Sequence, residues 1–243
     1  MGLNQMNEHL NAAFETYFPP LGPPGRLAFR LTSSALLGAF RLRTSLFGGR
    51  VLVNERIVED PMMLRWIGKG ARVLDIGCVS SRLPMQLACM GHEVHGLDTR
   101  DCGLDHPNFR FYRSDLFQWE PEARFDTILL VSVIEHFGLG GYGDLVLADA
   151  DRAAVERISP WLEDGGQLLV SLPFGAAAVT PKHRIYDRAR LNRVFEGLEW
   201  KRQAWFWRKG EDWIPGRPEE IERIPSPGMP PNGVAILEFG PGR

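Results

Sequence analysis

Two acidic residues and a glycine stand where an open sheet could bind a nucleotide. Gly77 follows Asp75 and the apolar run Val73–Ile76, at a point where a strand would turn into a helix. A missing side chain there lets the backbone approach a ligand. Asp98 ends the next apolar run, at the spacing of about 20 residues at which an acid meets ribose hydroxyls in doubly wound nucleotide sites. These positions predict a ligand with a ribose.

The residues after Gly77 indicate which kind of nucleotide this is. A dinucleotide fingerprint needs a second and a third glycine so that a pyrophosphate can rest on the helix N-terminus. Val79 and Arg82 occupy those positions, and a β-branched side chain obstructs the approach of a phosphate. NAD and FAD are therefore disfavoured, and a cofactor with a ribose but no phosphate is favoured. Ser81 is a good helix N-cap.

Short apolar runs that alternate with amphipathic stretches must position these residues. The pattern predicts βαβ units and a mostly parallel sheet covered on both faces. The last two strands, Trp200–Trp207 and Val234–Phe239, have only a Pro/Gly-rich segment between them, which favours an antiparallel pair. The predicted strands are 73–76, 94–97, 109–112, 127–133, 167–172, 200–207 and 234–239.

Composition narrows the class of protein. The chain has 243 residues, a net charge of −2 and 44% hydrophobic residues, which is typical of a globular domain and gives no overall electrostatic footprint for nucleic acid. Three cysteines are too few for a disulfide scaffold, so a reducing compartment is expected. With no secretion signal or membrane span in the pattern, we expect a cytoplasmic protein.

Residues 1–50 differ from the rest and predict a helical N-terminal arm, a lid or docking element beside a main domain of residues 51–243. A Pro/Gly cluster interrupts the arm at 19–25, and five arginines with no acid follow between Arg26 and Arg50. We favour a solvated cationic face that packs on the main domain; contact with a membrane surface is the less favoured alternative.

Five motifs in the expected order make the chain resemble the class I S-adenosylmethionine-dependent methyltransferases from about Glu55 to Phe239. The second glycine of the family's usual Gly-x-Gly is missing here. The motifs are Val73–Cys78, Asp98, Ser114–Leu116, Ser132–His136 and Leu162–Gly166.

The resemblance implies a Rossmann-like, doubly wound, mostly parallel seven-stranded sheet with an antiparallel C-terminal strand, and S-adenosylmethionine as the cofactor. It implies an adenine-side position at Ser114, Asp115 and Leu116. The full set of expected cofactor-binding residues is Asp75, Gly77, Cys78, Ser81, Asp98, Ser114, Asp115, Leu116 and Ser132.

A glycine-rich segment, Phe137–Asp144, follows the fourth strand. It resembles a bacterial methyltransferase subgroup with a Gly-Leu-Gly-x-Tyr-Gly-Asp loop, often associated with carbohydrate or secondary-metabolite pathways. Ligands of open α/β sheets bind outside the carboxyl ends of the strands, so Tyr142 is a candidate acceptor-binding residue. A structural glycine turn is an equal alternative.

The candidate catalytic residues end the fourth strand. His136 can remove a proton from a hydroxyl acceptor, and Glu135 can orient the histidine or the cofactor amine; a buried, loop-supporting histidine is the alternative. His183 and Tyr186 follow the fifth strand and are candidate acceptor-binding residues, whereas Asp187 fits a helix cap. No spacing matches a metal-ligand motif.

The sequence thus predicts methyl transfer to a small molecule, most simply to a hydroxyl of a carbohydrate or secondary metabolite. Methylation of base amines is disfavoured because the Asn/Asp-Pro-Pro-aromatic motif of such enzymes is missing after strand four. Two other functions remain open: a non-catalytic cofactor-binding or scaffold protein, and a nicotinamide oxidoreductase.

Overall fold

The computed structural model describes residues 54–141, 146–181, 183–210, 212–224 and 232–242, together with scattered residues between 24 and 42. The chain divides into two units, Met1–Leu52 and Val53–Arg243. The described residues between 24 and 42 are helical. The predicted lid or docking role of residues 1–50 falls mostly outside the described residues and stays a prediction. Within the described part of the chain, no helix has the length and apolarity to span a bilayer.

The second unit is built on a central sheet flanked by helices. The helices are α1 (Arg56–Trp66), α2 (Leu83–Cys89), α3 (Ala150–Ile158), α4 (Arg188–Val194) and α5 (Pro218–Ile221). The strands are β1 (Arg72–Ile76), β2 (Glu93–Asp98), β3 (Phe109–Arg113), β4 (Phe125–Val131), β5 (Leu162–Pro173), β6 (Ala178–Val179), β7 (Arg184–Ile185), β8 (Glu199–Lys209), β9 (Asp212–Pro215) and β10 (Gly233–Gly240).

Strand order places a ligand crevice at the middle of the sheet. The order is β3-β2-β1-β4-β5-β10-β8-β9, and β6 pairs separately with β7. The first five strands are parallel, and β10 is antiparallel to both β5 and β8. Because the chain order reverses between β1 and β4, the topological switch point lies at their carboxyl ends. The predicted fold class and the antiparallel C-terminal strand are confirmed.

Two details differ from the prediction. The sheet has eight strands, not seven, because the chain turns back at Gly210 (φ 66°) and β9 pairs with β8. Strand β4 ends at Val131, not Val133, because Ser132 has a positive φ of 48° and leaves the extended conformation. The residues after it form a short 3₁₀ turn, Ile134–His136.

The apolar runs of the sequence form a sheet that is buried on both faces. Along β4, Ile128 and Leu130 belong to one apolar cluster, and Leu129 and Val131 belong to the other. All four side chains are at most 5% exposed. Side chains alternate between the two faces of a strand, so a continuous apolar run is what a doubly covered strand requires.

Candidate active site

Gly77 forms the turn that leaves β1. Its φ of 76° is left-handed, and its N–H donates to the Leu97 carbonyl at 2.8 Å. A Cβ at this position would clash with the side chain of Val133, which follows β4. Backbone conformation and close approach both require glycine here, and the turn brings the ends of β1, β2 and β4 together.

Asp98, at the carboxyl end of β2, presents an ionised carboxylate beside this turn. The Val79 amide donates to Oδ2 at 3.0 Å, and the Arg100 amide donates to Oδ1 at 3.0 Å. The Arg100 guanidinium also donates to both oxygens. Burial raises the pKa of Asp98, but the hydrogen bonds from Arg100 and Val79 outweigh it and hold the pKa below its ordinary value.

A cluster of buried carboxyl groups lies at the same edge of the sheet. Asp75 on β1 is 1% exposed, Glu59 on α1 is fully buried, and Glu135 after β4 is 2% exposed. Each has one carboxyl oxygen with no hydrogen-bond partner among the described residues, and so do Glu55 and Asp60. Arg56 is a basic side chain beside the cluster, with Nη1 3.5 Å from Glu59 Oε2 and Nη2 donating to the Val131 carbonyl.

The carboxyl cluster (Glu55, Glu59, Asp60, Asp75 and Glu135) has little counter-charge among the described residues, and the pKa values of its most buried members reflect this. Burial, with the charges of Asp60 and Asp98 adding to it, raises the pKa of Asp75 to about 7. Burial raises the pKa of Glu135 to about 8, and the charge of Glu59 adds to it. Arg56 opposes both shifts without cancelling them. Since buried carboxylates need a paired cation, the cluster is suited to hold a cationic group.

Ser132 links β4 to this cluster. Its hydroxyl donates to Glu59 Oε1 at 2.6 Å, and its amide donates to the Ser171 carbonyl at 3.0 Å. A positive φ is strained for a residue with a side chain, and such strain gathers at functional sites. The predicted cofactor residue Ser132 thus also fixes the carboxyl cluster and redirects the chain toward His136.

His136 and His183 are both placed at this edge. His136 is 19% exposed, with Nε2 3.7 Å from Glu135 Oε1. His183 is 2% exposed, and burial, then the charge of His136, lowers its pKa. The Thr180 hydroxyl lies within hydrogen-bond distance of both the His183 carbonyl, at 3.0 Å, and the ring Nδ1, at 3.1 Å. His183 Nε2 is buried and has no hydrogen-bond partner in the described ranges.

The other two predicted acceptor-binding residues are Tyr186 and Tyr142. Tyr186 is fully buried, and its hydroxyl donates to Asp151 Oδ2 at 3.1 Å. The same oxygen accepts a hydrogen bond from Arg190 Nη2 at 2.8 Å. Tyr186 is therefore a core residue in this structure, with its hydroxyl already paired, and its acceptor-binding role stays a prediction. Tyr142 lies outside the described residues. Asp187 caps α4, with Oδ1 accepting from the Arg190 amide at 2.7 Å.

The predicted adenine side follows β3. The Ser114 amide donates to the Asp98 carbonyl at 3.0 Å, so this segment is tied to the end of β2. Asp115 Oδ1 accepts from the Phe117 amide at 2.7 Å, and Leu116 is buried in an apolar cluster.

Cys78 and Ser81 flank the turn after Gly77. Cys78 is 1% exposed and lies against Gly96 of β2, where a Cβ would be 2.7 Å from its Sγ. Burial raises the pKa of its thiol, and nearby Asp75 adds to that rise. Ser81 Oγ accepts from the amide of Leu83, the first residue of α2, at 3.1 Å.

Comparison with known structures identifies the fold. A Burkholderia thailandensis 1,6-didemethyltoxoflavin-N1-methyltransferase is 15% identical with a TM-score of 0.56, and the match covers 93% of each chain. The CcbJ methyltransferase of Streptomyces caelestis is 15% identical with a TM-score of 0.52, over 76% of this chain and 89% of that one. The N-methyltransferase NodS of Bradyrhizobium japonicum WM9 is 13% identical with a TM-score of 0.52, over 76% and 94%.

The chain has a class I methyltransferase fold. The fold suggested by the sequence motifs is therefore confirmed. A family described as a Caenorhabditis protein of unknown function, DUF268, matches residues 116–211. No curated protein matches the chain significantly.

The side chains that α1 contributes to the carboxyl edge of this methyltransferase fold were not predicted from the sequence. Arg56, Glu59 and Asp60 lie on α1 and reach the carboxyl edge, where burial raises the pKa values of both acids. The available signal was an arginine and two acids at helical spacing directly before the first motif. Such a pattern is more often a solvated helix face. Among the described residues, no three His, Cys, Asp or Glu side chains converge as metal ligands.

Proposed function

We propose that the chain transfers a methyl group from S-adenosylmethionine to a small-molecule acceptor. The observation that carries the proposal is the buried carboxyl cluster beside the Gly77 turn, whose members each have an oxygen without a hydrogen-bond partner among the described residues. The cluster lies at the same edge as the ionised Asp98. S-adenosylmethionine has a ribose diol, an α-ammonium group and no phosphate. The chain offers a diol acceptor and a cation site side by side.

Each part of the cofactor has residues suited to hold it. Asp98 accepts hydrogen bonds from the ribose hydroxyls, and Asp75 with Glu135 provides the counter-charge for the ammonium group. The Ser81 hydroxyl can donate to the carboxylate, and the Ser114–Leu116 segment lies on the adenine side, as the resemblance implies. When bound, S-adenosylmethionine supplies a methyl group on an electrophilic sulfur.

The solved structures support a small-molecule acceptor. The Burkholderia enzyme was crystallised with 1,6-didemethyltoxoflavin and S-adenosylhomocysteine. We propose a hydroxyl of a carbohydrate or secondary metabolite as the acceptor here, because the His136 imidazole at the active edge can take its proton. An amine acceptor is an outcome that the assay can return. Holding donor and acceptor in line supplies much of the acceleration of such a displacement.

His136 is the proposed general base, with Glu135 as its orienting neighbour at 3.7 Å. His183 Nε2, which has no hydrogen-bond partner among the described residues, can form a hydrogen bond that positions the acceptor molecule. A nicotinamide site is disfavoured because the Val79 amide, which a pyrophosphate would need, already donates to Asp98.

Calorimetric titration with S-adenosylmethionine, S-adenosylhomocysteine and NAD tests the proposal. We expect binding of the first two only. Asp98→Ala should weaken binding of both ligands at least tenfold, since each lost charged hydrogen bond is worth roughly 1.5–3 kcal/mol. The substitution also removes the pairing of Arg100 with Asp98, which offsets only part of this loss. Asp101→Ala is the matched control, because Asp101 lies in the same segment with its side chain 80% exposed.

The outcomes separate the alternatives. Unchanged affinity in Asp98→Ala contradicts the site, and binding of NAD favours an oxidoreductase. S-adenosylhomocysteine released in the presence of candidate acceptors supports an enzyme; binding with no methylated product from any acceptor class favours a non-catalytic protein.

A further inference from the structure

Four donors of the chain fill the hydrogen-bonding capacity of the Asp98 carboxylate. Oδ1 accepts from the Arg100 amide at 3.0 Å and from Arg100 Nε at 3.1 Å. Oδ2 accepts from the Val79 amide at 3.0 Å and from Arg100 Nη2 at 3.0 Å. An ionised carboxylate has about four lone-pair sites, so no site is left over for a ligand in this arrangement.

The four donors are not equally fixed. Two are backbone amides held by the turn after β1 and the start of the segment after β2. The other two belong to one guanidinium, whose side chain is 45% exposed while that of Asp98 is 5% exposed. Its third nitrogen, Nη1, donates to the Ser80 hydroxyl at 2.9 Å, so the side chain spans from the β2 end to the turn after Gly77.

This occupancy conflicts with the diol acceptor that Asp98 provides under the proposed function. Two ribose hydroxyls need two lone-pair sites, one on each oxygen. The guanidinium occupies one site on each oxygen, in the bidentate geometry that arginine and carboxylate favour. Since the backbone amides cannot leave without unfolding the turns, the guanidinium is the group that has to leave.

We propose that Arg100 is a latch on the nucleoside subsite, which leaves Asp98 and Ser80 when the ribose binds. The inference rests on the proposed function. The exposed side chain can swing into solvent without uncovering the core, and the ribose hydroxyls then take the two vacated sites. Asp98 keeps its two backbone donors throughout, so its carboxylate stays aligned. The latch lowers the apparent affinity for any ligand that binds through the ribose diol.

The size of the effect follows from the exposure of the pair. An apparent dissociation constant equals the intrinsic one divided by the fraction of molecules with the latch open. A half-exposed, bidentate ion pair is worth about 1 kcal/mol, so its removal should tighten binding about threefold to tenfold. Salt screens exposed ion pairs. A higher salt concentration should therefore weaken the Arg100–Asp98 pair in the wild-type chain and have little effect on ligand binding by variants that lack Arg100.

The test is calorimetric titration of the full chain with S-adenosylhomocysteine, which carries the ribose but no sulfonium charge. Arg100→Ala and Arg100→Gln should bind it about threefold to tenfold more tightly than wild type. Raising the salt concentration should tighten binding to the wild-type chain and narrow this difference. Arg113→Ala is the matched control: its side chain is 61% exposed and pairs with Asp101, not Asp98, and its affinity should equal that of wild type.

Two results overturn the latch while leaving the cofactor assignment intact. One is equal or weaker binding by both Arg100 variants; the other is an equal gain in Arg113→Ala, which would indicate a general charge effect. Failure of the wild-type chain and of every variant to bind S-adenosylhomocysteine would overturn the proposed function, and the latch with it.

Discussion

Binding of S-adenosylmethionine should release protons from the buried carboxyl cluster. With a pKa of about 8, Glu135 is about nine-tenths protonated at pH 7, and Asp75, with a pKa of about 7, is about half protonated. An ammonium group placed beside them favours the ionised forms. A carboxyl group that is ionised in the complex releases, on binding, the fraction of a proton that it carried in the free protein.

The expected number of protons follows directly. Glu135 alone releases about 0.9 proton at pH 7 and Asp75 alone about 0.5, while the ligand's own α-amino group takes up at most about 0.2. The net release is therefore about 0.3 to about 1.2 protons, depending on which carboxyl group pairs with the ammonium. At pH 9 both carboxyl groups are already ionised, so the release from them should fall to about 0.1.

Calorimetry in buffers with different ionisation enthalpies measures this release. Glu135→Gln and Asp75→Asn identify the source, because each removes one titrating group and keeps the shape of its side chain. Asp101→Ala serves as the control on an exposed acid. Binding heats at pH 7 that do not depend on the buffer would show that the carboxyl cluster releases no protons. A release left unchanged by both substitutions would show that the protons come from other groups.

Three further outcomes are expected. His136→Ala should lower turnover about 10²–10⁴-fold with cofactor affinity unchanged, and the wild-type rate should fall at acid pH, where a charged imidazole cannot accept a proton. Full activity would remove His136 from the reaction. Burial raises the pKa of Glu135 to about 8, so the contribution of Glu135 to stability is full below about pH 4.5 and is lost as pH rises through 8. Between pH 5 and 9 the free energy of unfolding of Glu135→Gln should therefore rise by at least about 1 kcal/mol relative to that of wild type in denaturant titrations. Parallel pH profiles of the two proteins would contradict this. A chain starting at Leu52 should fold and bind cofactor but lose acceptor affinity, and its failure to fold would place the arm in the core.

Features that repeat along the chain were predictable from sequence. Continuous apolar runs such as β1 and β4 occur because both faces of a parallel strand are covered, and that requirement leaves a local pattern. Gly77 was predictable for a related reason: a strand-to-helix turn with a left-handed backbone excludes side chains.

Features that depend on long-range contact were not predictable. Glu59 bonds to Ser132, which is 73 positions away, and nothing in the polarity of α1 distinguishes this buried face from a solvated one. Tyr186 and His183 are three residues apart, yet the Tyr186 hydroxyl bonds to Asp151 in the core, while His183 Nε2 has no hydrogen-bond partner among the described residues. Arg100 lies two residues after Asp98, a spacing that carries no signal of bidentate pairing until the end of β2 is built.

A crystal structure of the full chain with S-adenosylhomocysteine would locate the nucleoside, the ammonium group and the Arg100 side chain together. We expect both ribose hydroxyls within hydrogen-bond distance of the Asp98 carboxylate, the ammonium group beside Asp75 or Glu135, and the Arg100 guanidinium turned away from Asp98. A nucleoside bound elsewhere, with Asp98 still paired to Arg100 and the carboxyl cluster still unpartnered, would contradict this expectation.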